Sequence, residues 1–208
     1  MTSIPNKDRL GNLPEVLESK RLLLKKYQIG DEHAMLGLFE RNFNRQFLKE
    51  HADEASAVKT IEDANKWVTK LATNWDERKR FVMTIWLKPE EILIGQIWIE
   101  PEKWEVPSFQ LGWYLDKGYI MMGFATEAAR RSMEFIFNDL QAHRITVITR
   151  DTNIRSYKLA ERLGFKKEGH FRECCIEDGN RWGLMYYGLL RSEFEEKIKK
   201  EKEEESIE

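Results

Sequence analysis

A chain of 208 residues is long enough for one substantial core and short for two, which predicts a single domain over 1–191 and a charged tail over 192–208. Hydrophobic residues make up 41% and charged ones 34%, a globular balance that excludes a disordered chain. The formal charge is −2, and because the tail holds eight acidic and four basic side chains, the rest stands near +2, too even for broad electrostatic capture of nucleic acid.

In chain order, "RLLLKKY" at 21–27 reads as a short strand, and "DEHAMLGLFERNF" from Asp31 as a helix with an Asp N-cap. A second helical region is predicted over 56–80, through Trp67, Leu71 and Trp75. The period then changes. "FVMTIWL" (81–87), "ILIGQIWIE" (92–100) and "SFQLGWYLD" (108–116) are rich in β-branched and aromatic residues and are separated by turn-like "KPEE" and "EKWEVP", which predicts an antiparallel meander. A helix follows over 125–140, its apolar stripe set by Ala125, Ala129, Met133, Phe137 and Leu140. Next come the strand "RITVITR" (144–150), a helix from Asn153 to Leu163 ended by Gly164, and strands at 165–175 and 181–190. A right-handed crossover makes the strand at 144–150 parallel to the one at 108–116, so the sheet is mixed. The tail reads as a solvated, partly helical end.

No apolar run approaches the roughly 18 residues of a membrane span, and the start "MTSIPNKDRLGN" has no apolar core of a signal peptide, which predicts a cytoplasmic protein with no membrane partner. The two cysteines, Cys174 and Cys175, are adjacent; neighbours on a strand point to opposite faces, so no structural disulfide is expected. His33, His51, His143 and His170 lack metal-ligand spacing, and no metal is predicted.

The stretch "GYIMMGFATEAARR" (118–131) places a glycine loop between a strand end and a helix start. Such a helix mouth leaves several N–H groups unpaired where the dipole favours an anion, phosphate above all. Gly123 lets the backbone approach closely, and Ala125 and Thr126 keep bulk away. After the neighbouring parallel strand, "TNIRSYKLAERLGFKKEG" opens a second helix with Asn153 as its cap.

Together, "LGWYLDKGYIMMGFATEA" and "NIRSYKLAERLGFKKEG" resemble the acetyl-coenzyme A motif and the next segment of the GCN5-related N-acetyltransferase (GNAT) family, and within it the RimJ/RimL-like group that acetylates N-termini of ribosomal proteins. The resemblance covers roughly residues 18–191. It implies an α+β fold, an α/β/α sandwich around a mixed, mostly antiparallel sheet of about seven strands. Its central parallel pair splays to admit the pantetheine arm of acetyl-CoA. Trp113, Tyr114 and Leu115 fall on the splayed strand. The pyrophosphate is expected on the amides of Met121, Met122, Gly123, Phe124, Ala125 and Thr126, with Asn153, Arg155 and Ser156 as further coenzyme contacts. The family usually has Gln or Arg, then Gly, before this loop. Ile120 and Met121 stand there, so a side-chain contact is absent and reduced coenzyme affinity is expected.

Acetyl transfer to an amine needs a proton acceptor, an oxyanion donor and an acid for the leaving thiolate. The resemblance puts Ser156 in the acid role, while the tyrosine that other branches use falls on Ala160. For the base, Gln110 stands where relatives often have Glu, and Cys175 where some carry an acid; Glu173 is the expected base, with Glu100 a neighbour in the meander and pairing of Glu173 with Arg172 or Arg181 the plain alternative. Three readings stay open: an N-acetyltransferase of peptide or protein N-termini, one of small-molecule amines such as polyamines, amino acids or antibiotics, and a noncatalytic acyl-CoA sensor. Similar proteins pair through their last strands, so a homodimer is one expected arrangement.

Overall fold

In a computed structural model, described over residues 10–49 and 53–205, the chain runs β1 (Val16–Glu18), β2 (Leu22–Lys26), α1 (Glu32–Glu40), α2 (Asn44–Phe47), α3 (Asp53–Ser56), α4 (Ile61–Asp76), β3 (Phe81–Leu87), β4 (Ile92–Lys103) and β5 (Ser108–Leu115). It continues through α5 (Phe124–Asn138), β6 (Arg144–Arg150), α6 (Ile154–Leu163), β7 (Lys166–Glu177), β8 (Asn180–Leu190) and α7 (Arg191–Glu205). The expectations for residues 1–9, for His51 and for 206–208 lie outside the described residues. The strands follow the order β1-β2-β3-β4-β5-β6-β8-β7. β6 pairs with β5 in parallel, Ser108 to Gln110 opposite Arg144 to Thr146, and with β8 antiparallel. The eighth strand is β1, three residues that pair with β2 and are too short to show a period.

These elements fall into two compact units, one of residues 10–100 and 112–135, the other of 101–111 and 136–205. In the first, α4 buries Ala64, Val68, Leu71 and Trp75 on one stripe, packed with Tyr27, Met35, Phe39 and Val82. Trp75 stacks on Phe135 at 5.8 Å and meets Phe81 edge-on at 5.2 Å. The helix predicted over 56–80 is α4 alone, Ile61–Asp76, because Thr60 caps it by accepting from the Asp63 amide at 3.1 Å, and α3 ends at Ser56. Asp31 does precede α1, but its carboxylate turns back to accept from the Gln28 amide at 2.9 Å and gives no side-chain cap. That helix stops at Glu40, since Asn42 and Phe43 are left-handed, with φ of 54° and 58°.

In the second unit, α6 begins and ends as the sequence predicts. Asn153 Oδ1 accepts from the Ser156 amide at 3.2 Å, and Gly164 closes the helix at φ 100°. β7 and β8 join through Asp178 and Gly179, whose φ values of 47° and 78° match a two-residue hairpin turn. The start of α7 is docked: Phe194 stacks on Phe137 at 4.7 Å, and Arg191 Nε donates to the Ala142 carbonyl at 2.9 Å. Among the described residues no helix is long and apolar enough to cross a membrane.

Candidate active site

The end of β5 is held tightly against β4. A Cβ on Gly112 would lie 2.1 Å from the Trp98 ring, and one on Gly95 would lie 2.3 Å from the Tyr114 carbonyl oxygen, so both positions need glycine for space. The Tyr114 hydroxyl lies 3.2 Å from Gln96 Oε1, which also takes the Tyr27 hydroxyl at 3.0 Å; burial pushes the Tyr114 phenol far up. Trp113 is half-buried and Leu115 is buried. Of the aromatic residues of the meander, Trp98 and Tyr114 pack at the core of the first unit, and Trp104 meets Phe109 edge-on at 5.3 Å.

Beyond β5 the chain turns on Asp116, a fully buried carboxylate. It accepts from the Asn42 side chain at 2.8 Å, from the Gly118 amide at 2.8 Å and from Arg41 Nε, while Arg41 also reaches the Leu93 carbonyl. Burial pushes its pKa up, but the donors of Asn42, Arg41 and Gly118 together outweigh burial and hold it below the usual carboxylate value. Asn44 Oδ1 takes the Lys117 amide at 2.8 Å, fixing the next step of the loop.

The loop then exposes its backbone. Met121 is left-handed at φ 64° and Gly123 at φ 80°, and Met121 and Met122 turn their side chains to solvent. The Glu127 amide bonds the Gly123 carbonyl at 3.1 Å, so the amides of Phe124, Ala125 and Thr126 precede the first helical bond. Sequence reasoning missed what holds this loop. Arg21 donates through Nη1 to the Met122 carbonyl at 3.0 Å, through Nε to Glu127 Oε2 at 2.7 Å, and covers the Phe124 ring at 4.3 Å. The Arg21 amide and Ser19 Oγ donate to Glu127 Oε1 at 2.7 and 2.9 Å. Burial raises the Glu127 pKa, yet these donors lower it more. Arg21 lies in β2's approach with no local motif, and only the acidic residue in the first turn of α5 hints at a partner.

In the second unit, Ser156 is half-buried and its amide is taken by Asn153, while Arg155 is exposed. Asp151, just before, accepts from the Gly183 amide at 2.9 Å and lies 2.9 Å from His170 Nε2. A Cβ on Gly183 would lie 2.4 Å from Asp151 Oδ2, so glycine makes room for this pair. The contact with His170 and the Gly183 amide hold the Asp151 pKa down. Glu173 sits in the irregular part of β7 at φ 49°, exposed, 3.5 Å from Arg181 Nη1. Glu100 pairs with Arg80 at 2.7 Å, and Gln110 opposes Thr146 in the parallel register. Ser156 and Glu173 are thus on separate elements, α6 and β7, of one unit, whereas Met121 to Thr126 belong to the other. Among the described residues no group of three or more His, Cys, Asp or Glu is placed to hold a metal ion.

A family model described as acetyltransferase (GNAT) domain matches residues 21–166, most of the chain. The chain belongs to the GNAT acetyltransferase family. This GNAT acetyltransferase is 28% identical over 178 residues to the uncharacterized N-acetyltransferase YnaD of Bacillus subtilis, covering 86% of this chain and 98% of that one. Among solved structures, a GNAT-family acetyltransferase from Bacillus anthracis is 26% identical with a TM-score of 0.70, covering 85% of this chain and 99% of the other. RimL, a ribosomal L7/L12 α-N-protein acetyltransferase solved with coenzyme A, is 18% identical with a TM-score of 0.76 over 85% of this chain and 98% of its own, a likeness of fold. The mixed eight-stranded sheet with one parallel pair is the GNAT fold, and the chain is an N-acetyltransferase.

Proposed function

We propose that this enzyme transfers the acetyl group of acetyl-CoA to a primary amine, and that its acceptor is a peptide or protein N-terminal α-amine. The observation that carries the coenzyme is the Met121–Thr126 loop: left-handed backbone at Met121 and Gly123, amides ahead of the first helical bond, and the Arg21 guanidinium alongside. In this reading those amides take the pyrophosphate, and the backbone of Trp113, Tyr114 and Leu115 takes the pantetheine arm. Asn153, Arg155 and Ser156 contact the coenzyme. The amine nitrogen attacks the thioester carbonyl, the C–S bond breaks, and Ser156 protonates the leaving thiolate. Glu173 takes the proton of the amine; His170, on the same strand as Glu173 and held by Asp151, is the other proton acceptor of suitable chemistry.

Two arguments support an α-amine. The likeness in fold to RimL, named as an α-N-protein acetyltransferase, is one. The other is physical: an α-amine with a pKa of about 8 offers, at neutral pH, a neutral fraction roughly two hundred-fold larger than a lysine amine at about 10.4, so it asks less of an exposed base such as Glu173. A cytoplasmic enzyme acting as a homodimer completes the proposal.

The test is release of free coenzyme A thiol from acetyl-CoA with N-terminal peptides, polyamines and amino acids, between about pH 6 and 9. Turnover on peptides alone supports the proposal, and turnover confined to polyamines or amino acids overturns the acceptor class. Loss of the rise of rate with pH in Glu173→Gln supports Glu173, whereas its loss only in His170→Asn transfers the role.

A further inference from the structure

The only two cysteines of the chain are adjacent, and their sulfurs lie 3.7 Å apart as unbonded thiols, Cys174 exposed and Cys175 half-exposed. A regular strand forbids this, because successive side chains point to opposite faces. β7 is not regular there. Phe171 pairs with Leu184 and Cys175 with Trp182, so three residues of β7 stand between them against one of β8. The surplus is taken up in a bulge in which Glu173 is left-handed at φ 49°. The bulge turns both thiols the same way, next to solvent and away from the hydrophobic core.

We infer that Cys174 and Cys175 form a two-thiol modification site, closed to an intrachain disulfide by exchange with a low-molecular-weight disulfide. The Cys174 thiolate, the more exposed, attacks one sulfur of the small disulfide; a mixed disulfide forms and one small thiolate leaves. The Cys175 thiolate then attacks the Cys174 sulfur, the Cys174–Cys175 bond forms, and the second small thiolate leaves. Two electrons pass from the cysteines to the small disulfide, and the two cysteine protons end on the two expelled thiols. The sulfurs must close from 3.7 Å to about 2.05 Å, a movement the bulged, exposed backbone accommodates more readily than a paired strand. The second step is intramolecular, so proximity replaces nucleophile concentration.

The experiment treats the full chain with excess oxidised glutathione, alkylates the remaining thiols, and weighs the peptide that carries both cysteines. The expected product has lost two hydrogens, carries no glutathione, takes no alkyl group and remains a single chain on a non-reducing gel. Cys174→Ser and Cys175→Ser, each at a solvent-facing position, are expected to stop at a stable glutathione adduct. Accumulation of the adduct in the unaltered protein, alkylation of both cysteines, or a disulfide between two chains overturns the inference.

Discussion

Arg21 grips Glu127 twice, through its amide and through Nε, both at 2.7 Å, and spends its remaining reach on the carbonyl of Met122. One side chain therefore joins the first turn of α5 to the loop that exposes its amides. Arg21→Ala is expected to raise the KM for acetyl-CoA about tenfold, equivalent to about 1.4 kcal/mol, with a smaller change in kcat. Lysine cannot reach both partners in a fork, so Arg21→Lys should recover only part of the loss. Steady-state titration of acetyl-CoA at a saturating amine checks both, and an unchanged KM in Arg21→Ala removes Arg21 from the site.

Gly112 and Trp98 fill one space, the ring lying where a Cβ would be. Gly112→Ala should destabilise the protein by about 1–3 kcal/mol, the usual cost of overpacking. Pairing it with Trp98→Leu should recover a measurable part of that loss, since the second change removes the obstacle. Urea denaturation of the two single variants and the double variant measures the coupling.

Asp116 contributes to the acid side of the stability profile. Its pKa is depressed below the unfolded value of about 3.9, so its ionised form stabilises the fold above that value and the contribution disappears as pH falls through the lower, folded value. Asp116→Asn should flatten the loss of stability as pH falls below about 4. At neutral pH it should cost roughly 2–3 kcal/mol, at the low end for a broken buried pair because Arg41 is partly exposed. Urea midpoints across that range decide the matter, and an equally steep acid limb in Asp116→Asn would refute it.

Asn153 and Ser156 separate stability from chemistry. Asn153→Ala removes the cap of α6 and should cost about 1 kcal/mol. Ser156→Ala keeps the amide that the cap holds, so its stability should change by no more than about 0.5 kcal/mol. If Ser156 is the acid, kcat falls about a hundredfold with little change in KM for acetyl-CoA. A rise in KM at constant kcat would make it a binding contact only.

The sequence carries most of the sheet, because strands β3 to β6 announce themselves by period and by the turns between them, and α6 by its cap and its terminal glycine. It carries the loop as well, since a glycine ahead of a helix is a local pattern. What it hides depends on partners far along the chain. β1 has three residues and exists only by pairing with β2. The Arg21–Glu127 contact spans 106 positions, and the buried network of Asp116 gathers Arg41 and Asn42 from 74 or 75 positions away. Asp31 looks like a cap in sequence, but the nearby Gln28 amide competes for its carboxylate. The bulge that turns Cys174 toward Cys175 is likewise a mismatch between two strands, and neither strand shows it alone.

The stacking of Phe194 on Phe137 sets where a shortened protein can stop. A chain ended at Arg191, a natural choice for anyone trimming a highly charged terminus, would uncover the face of the Phe137 ring on which Phe194 stacks and leave Arg191 as its remaining cover on that side. A stop placed past Lys197, whose ammonium donates to the Arg162 carbonyl at 2.9 Å, keeps that ring covered and still discards most of the acidic end. The same geometry recommends the far end of α7 for a fused reporter or an affinity handle, since the helix holds it away from the aromatic pair.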